Sequence, residues 1–205
     1  MATKVWLVSH AANAALRAGV FASAEVGDGT HAEALDTRAL DAIEAWRRRW
    51  HACVVGDVDG GTACVLSSPA PVALASALAA GFADVRIESA LADTAYGAWA
   101  GRRLIDIAQD APDALAVWTR DPVFRPPGGG ESFEDVRARV GAWLHALPDA
   151  DAPIIAFTHA SVIRAAVLHA LGAPSATFRQ LEIAPLSVTA LRRSAQGWVW
   201  VAATA

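Results

Sequence analysis

Apolar positions along the chain fall into short uninterrupted runs and longer periodic stretches. The first run, Val5 to Val8, ends abruptly in Ser9-His10, and an apolar run of this length predicts a strand buried on both faces. Over residues 31–49, Leu35, Leu40, Ile43 and Trp46 recur at helical spacing. "TACVLSSPA" reads as a second buried strand that breaks at Ser67-Ser68-Pro69, with a helix following to about Ala80, and "ADVRIES" as a third. Helical pattern resumes near Gly101 and runs to Trp118, interrupted at Pro112. After the loop "FRPPGGGES", residues 131–147 predict an amphipathic helix opened by Ser132 with Asp135 three positions on. "PIIAFTHASVIRAAVLHALG" repeats the opening pattern of apolar strand, histidine and helix, and the tail "LSVTALRRSAQGWVWVAA" alternates about a Ser-Ala-Gln-Gly turn as an antiparallel hairpin. The alternation predicts a three-layer α/β/α fold with a mostly parallel central sheet and the hairpin at its edge.

Bulk composition narrows the function classes. A chain of 205 residues fits one domain over 1–205, and its 54% hydrophobic content owes much to alanine. No apolar run approaches the roughly 20 residues that span a bilayer, and the N-terminus lacks the pattern of a secretory signal, so a soluble cytoplasmic protein is expected. The net charge of −4 argues against nucleic acid as a partner. The run Arg47-Arg48-Arg49 reads as a helix end, where cations suit the macrodipole. Cys53 and Cys64 read as reduced residues, and "GDVDGG" at 56–61 reads as a turn without the full ligand set of a calcium loop. No cofactor and no metal is expected.

The chemistry is expected where polar groups break apolar strands, because open α/β sheets bind ligands outside the carboxyl ends of their strands. Three breaks qualify: Ser9-His10, Ser67-Ser68 and Thr158-His159. Four stretches, in order, resemble the histidine phosphatase (phosphoglycerate mutase-like) superfamily over nearly the whole chain. "LVSHAAN" stands where the family has Leu-Val-Arg-His-Gly-x-Thr, and "SSPAPVA" where it has Ser-Ser-Pro-Leu-x-Arg-Ala. "LADTAYGAWAG" is similar to Leu-x-Glu-x-x-x-Gly-x-Trp-x-Gly, and "FTHASVIRA" to Ser-His-Gly-x-x-Ile-Arg. The resemblance implies hydrolysis of a small phosphomonoester through a phosphohistidine, with His10 as nucleophile, His159 as the second phosphate-pocket histidine and Asp93 as general acid. A neutral imidazole is a competent nucleophile near neutral pH, and the leaving oxygen needs a proton as its bond to phosphorus breaks.

Both arginines of the family's phosphate pocket are replaced, by Ser9 and Val72, and alanine follows each histidine at Ala11 and Ala160. Losing two charge-assisted hydrogen bonds costs roughly 3–6 kcal/mol of phosphoryl binding, or about 10²–10⁴ in rate. The expectation is therefore a divergent hydrolase that is slow or relies on relocated cations. Arg17 and Arg102, with Arg103 and Arg125 behind them, are candidates for that relocation, Ser9 for a ligand hydrogen bond, and Trp99 for a wall of the substrate pocket. Arg164 is expected mainly to pack its helix. Three alternatives stand beside this reading: an inactive ligand-binding or regulatory protein, acid–base chemistry by the two histidines on a non-phosphate substrate, and a His10-His159-Asp93 metal site.

Overall fold

The computed structural model describes residues 3–23, 35–55, 63–149 and 152–203. In chain order the elements are β1 (Lys4–Ser9), α1 (Ala14–Arg17), α2 (Thr37–Val55), β2 (Cys64–Ser67), α3 (Pro71–Ala79) and β3 (Val85–Ile87). Then come α4 (Leu104–Asp110), α5 (Pro112–Trp118), α6 (Phe133–Ala146), β4 (Ile154–Thr158), α7 (Ala160–Leu171), β5 (Val188–Ser194) and β6 (Gly197–Val201). Single 3-10 turns occupy Ser89–Leu91 and Gly97–Trp99, and a longer one spans Ser175–Gln180.

Among the described residues the sheet has six strands in the order β3-β2-β4-β1-β5-β6. The first four are parallel, and β5 and β6 close one edge antiparallel. Burial follows the two-residue period of the strands. Val5, Leu7, Ile154 and Ala156 face α6 and α7, where Val140, Leu144, Ile163 and Ala166 complete one core. Trp6, Val8, Ile155 and Phe157 face α2 and α3, where Ile43, Trp46 and Ala77 complete the other. Each fully buried side chain of this kind contributes roughly 1.5–3 kcal/mol, which makes β1 and β4 a rigid base for whatever their ends carry.

Local signals account for several boundaries. Ser132 and Asp135 form a reciprocal capping box at the start of α6, and Gly172 ends α7 in the left-handed conformation. Pro112 occupies the first turn of α5, where its missing N–H costs nothing. The expected 31–49 helix is displaced: α2 is described from Thr37 and continues to Val55, while residues 31–34 lie outside the described residues. Arg47 and Arg48 therefore sit within the helix and pair with Glu44 one turn back, rather than serving its C-terminal dipole. The physical reason is that Val54 continues the buried stripe through and beyond the basic run. The 56–61 turn lies outside the described residues. Cys53 and Cys64 form no disulfide, and no described helix is long and apolar enough to cross a membrane.

Candidate active site

Sheet order places β2, β4 and β1 side by side, so their carboxyl ends present Ser68, His159 and His10 in a row. Register pairs Ser9 with Thr158 and Ser67 with Phe157, which keeps the three ends level. The His10 and His159 rings meet edge to face with centroids 4.9 Å apart, close to the spacing of neighbouring strands. Backbone bonds tie the ends together: His10 N–H donates to the Thr158 carbonyl and Ser68 N–H to the Phe157 carbonyl, both at 2.9 Å.

Polar neighbours fix the tautomer of each ring. His10 Nδ1 lies 2.8 Å from the carbonyl oxygen of its neighbour Ala11. A carbonyl only accepts, so Nδ1 carries the proton and Nε2 keeps a lone pair. His159 Nε2 is 2.8 Å from Ser68 Oγ, which already accepts from Ala70 N–H at 3.2 Å. A hydroxyl can accept twice, so this bond leaves Ser68 free to accept or donate. What sets the tautomer is the Asp93 carboxylate, an acceptor facing the other ring nitrogen, so the Ser68 hydroxyl donates to Nε2 and the His159 proton sits on Nδ1. That nitrogen faces Asp93 Oδ2 at 3.5 Å and has no hydrogen-bond partner, although the residue is only 3% exposed. A buried donor without a partner is costly, and here it is aimed at the space between the two rings and Asp93. Burial dominates the His159 titration, pulling its pKa down to about 4 against a partial opposing pull from Asp93. The ring is neutral at pH 7.

Asp93 is held by its Oδ1, which accepts from Ser161 Oγ at 2.6 Å and Thr94 N–H at 2.8 Å. Its loop is clamped from α6. Arg139 donates to the Ala90 and Ala92 carbonyls at 2.8 and 3.0 Å and pairs with Glu131 at 3.0 Å, while Glu131 Oε2 accepts from Ala95 N–H. Thr158 Oγ1 fixes the same loop through the Leu91 carbonyl. Gly97 allows the loop to close against "PPGGG": its φ is +54°, and a Cβ there would lie 2.3 Å from the Pro127 carbonyl oxygen.

The remaining predicted residues divide. Ser9, 4% exposed, lines the cleft beside His10. Its backbone is bonded to the 186–187 segment, where Leu186 adopts a left-handed φ of 59°. Val72 lines the opposite wall. Arg17 turns away to Asp36 and the Ala12 carbonyl, and Arg102 pairs with Asp110. Arg125 is engaged by Asp135. None of the three lines the cleft. Trp99 is buried behind it, packed against Phe21, Trp118 and Phe124, so Trp118 forms the wall instead. The cations that do line the cleft are Arg164 and Arg179. Arg164 donates its Nε–H to the Leu181 carbonyl at 2.7 Å, and Arg179 lies 4.4 Å above the Trp118 ring. Tyr96 completes the floor, its hydroxyl kept protonated by burial and by Asp93. Sequence carried little sign of these four. Arg164 and Tyr96 sit in quoted motifs, Arg164 reading mainly as packing and Tyr96 at an unspecified position, and Trp118 and Arg179 belong to no charge or spacing pattern.

The cleft has two lobes that share His10, Leu16, Asp93, Tyr96, Trp118, His159 and Arg179. One, of about 430 Å³, holds Ser9, Ser161 and Arg164; the other, of about 500 Å³, opens past Val72. A separate hollow beside His145, His169 and Trp198 lies toward the other edge of the sheet. Among the described residues no group of three or more His, Cys, Asp and Glu is arranged to hold a metal ion.

Comparisons with known proteins agree with the fold. The chain is 34% identical over 136 residues to the bifunctional protein Rv2228c of Mycobacterium tuberculosis, an alignment covering 63% of this chain and 37% of the relative. It thus spans little more than a third of that relative's length. Solved structures share the fold at low identity. The alpha-ribazole phosphatase of Shigella flexneri superposes with a TM-score of 0.78 at 18% identity, covering 97% of this chain and 95% of its own. A mycobacterial glucosyl-3-phosphoglycerate phosphatase, Rv2419c, gives 0.76 at 23% identity over 98% and 97% of the two chains. The sequence model of the histidine phosphatase superfamily (branch 1) matches residues 5–205, from the strand that delivers His10 to the end of the chain, and the protein belongs to that superfamily.

Proposed function

We propose that the protein hydrolyses a small phosphomonoester by way of a phosphohistidine on His10. The observation that carries the reading is the pair of fixed tautomers, with the His10 Nε2 lone pair free and the His159 Nδ1 proton unpartnered at the same cleft. In the first step His10 Nε2 attacks phosphorus, the P–O bond to the alcohol breaks, and Asp93 in its acid form gives the leaving oxygen a proton. In the second, Asp93 takes a proton from water, whose oxygen attacks the phosphohistidine, releasing inorganic phosphate and restoring His10. His159 Nδ1–H, Arg164 and Arg179 supply donors and positive charge to the phosphoryl oxygens, in place of the arginines that Ser9 and Val72 replace. The protein needs no cofactor for this chemistry.

Turnover of p-nitrophenyl phosphate tests the reading. Activity inhibited competitively by vanadate, with a KM raised about 10- to 100-fold in Arg179→Ala, is the expected result. No turnover of any phosphomonoester by folded protein would refute it. That result would favour the second reading, a binding protein for a less charged ligand, which the replacement of arginine by Val72 supports.

A further inference from the structure

The two lobes of the cleft differ in chemistry, and the difference bears on the alcohol half of the substrate. The larger lobe is walled by Leu16, Val20, Phe21, Val72, Leu104 and Trp118. Beyond the shared His10, Asp93, Tyr96, His159 and Arg179 its polar side chains are few: Asn13 Oδ1 is spent capping α1 through Leu16 N–H, and Ser23 stands at the outer limit of the described segment. The smaller lobe adds Ser9, Thr94, Ser161 and Arg164 to the shared polar groups, Arg179 among them, beside apolar Phe133, Phe178, Ile183 and Pro185. His10, His159 and Asp93 lie on the boundary between them.

The position of Val72 gives this division a direction. Where a guanidinium would hold an anion or a hydroxyl, an isopropyl group is buried against the reacting centre, and its helix is anchored there by Ser76. Ser76 Oγ donates to the Val72 carbonyl at 2.7 Å and accepts Ala11 N–H at 3.1 Å, locking α3 to the loop after His10. Apolar surface also continues outward. Leu16 and Leu104 line the lobe yet remain 46% and 45% exposed, forming an apolar lip at its mouth. An apolar wall that continues to the mouth of a cleft suits a ligand whose own surface is apolar.

Resting on the phosphatase reading above, we infer that the substrate is a phosphomonoester of an apolar alcohol, aryl or branched alkyl, and not of a sugar or polyol. The phosphoryl group sits toward Arg164 and Arg179, and the ester oxygen lies beside Asp93. The hydrocarbon fills the lobe between Val72 and Leu104. A polyol placed there would bury hydroxyls against Val20, Val72 and Leu104 without partners, at a cost of roughly tenfold in kcat/KM for each. A second aromatic ring would gain about 10- to 100-fold from burial.

The test compares 1-naphthyl phosphate with phenyl phosphate, whose alcohols have similar acidity, and both with glycerol phosphate. We expect kcat/KM to fall in the order naphthyl, phenyl, glycerol, with the first ratio at least about tenfold. Leu104→Ser and Leu16→Ser, at half-exposed positions that the fold tolerates, should each reduce the naphthyl-to-phenyl ratio by about threefold. Turnover of all three esters at similar kcat/KM overturns this inference and leaves the phosphatase reading in place. Should no ester turn over, calorimetric binding of 1-naphthylmethylphosphonate against methylphosphonate decides the matter. Binding at least about tenfold tighter for the naphthyl compound supports the apolar lobe while the phosphatase reading falls, and equal affinity overturns the lobe as well.

Discussion

Protonating His159 should destabilise the protein progressively between pH 6.5 and 4, the ordinary and the shifted pKa of that ring. Burial between β4, Ser68 and His10 opposes the imidazolium, and Asp93 offsets only part of that penalty. In this window the unfolded chain binds more protons at His159 than the folded one, so stability increases with pH. The contribution is fully present above pH 6.5 and is lost as pH falls toward 4. The full shift, from 6.5 to about 4, corresponds to about 3 kcal/mol. At about pH 5 roughly 2 kcal/mol of it is already gone. Urea unfolding of the wild type and of His159→Asn at about pH 7.5 and about pH 5 isolates this group, because every other titrating residue is common to both proteins. Asparagine cannot charge, and its shorter amide gives up the Ser68 bond to Nε2, a loss common to both pH values. The wild type should lose about 2 kcal/mol more than the variant between the two pH values. Equal losses in both proteins would refute the claim that His159 is held neutral by burial.

Two further outcomes probe the frame around the histidines. Gly97→Ala should destabilise by at least about 2 kcal/mol, since it strains a left-handed residue and drives a methyl into the Pro127 carbonyl. Gly101→Ala, also at positive φ but with nothing within 4 Å, should cost about 1 kcal/mol, and equal melting temperatures for the two variants would contradict the packing argument. Arg139→Ala should lower kcat about tenfold or more with a smaller change in KM, because it frees the loop that positions Asp93. Arg139→Lys should not restore the rate, since one ammonium cannot span both carbonyls and Glu131 as the guanidinium does. A change confined to melting temperature would reduce Arg139 to a structural role.

β1, β2 and β4 were legible because each is an apolar run with an abrupt polar end, and β5 and β6 because they alternate about a turn. The breaks of β1 and β4 drew attention to His10 and His159, which the sheet order then brings together. Ser132-Asp135 and Gly172 marked their helix ends because capping is a local interaction. The basic run at 47–49 misled because three adjacent charges resemble a C-terminal turn, whereas the buried stripe carries α2 on to Val55. Arg164 and Arg179 could not be assigned to the cleft from sequence. Their placement depends on how the 175–180 turn and α7 fold over the strand ends, contacts between segments remote in the chain. Arg17 and Arg102 lie in segments near the site, yet nearby carboxylates, Asp36 and Asp110, engage them. Sequence offered Trp99 alone as a pocket wall; it is Trp118, packed edge to face on Trp99, that lines the cleft.

The central claim is that His10 carries the phosphoryl group, and rapid acid-free quenching of the protein with ³²P-labelled aryl phosphate tests it most directly. The expected result is a burst of protein-bound label that is stable to base, labile to acid, mapped to His10, and absent from His10→Ala, which also loses turnover. Steady turnover by His10→Ala, or label recovered on any other residue, would contradict the account.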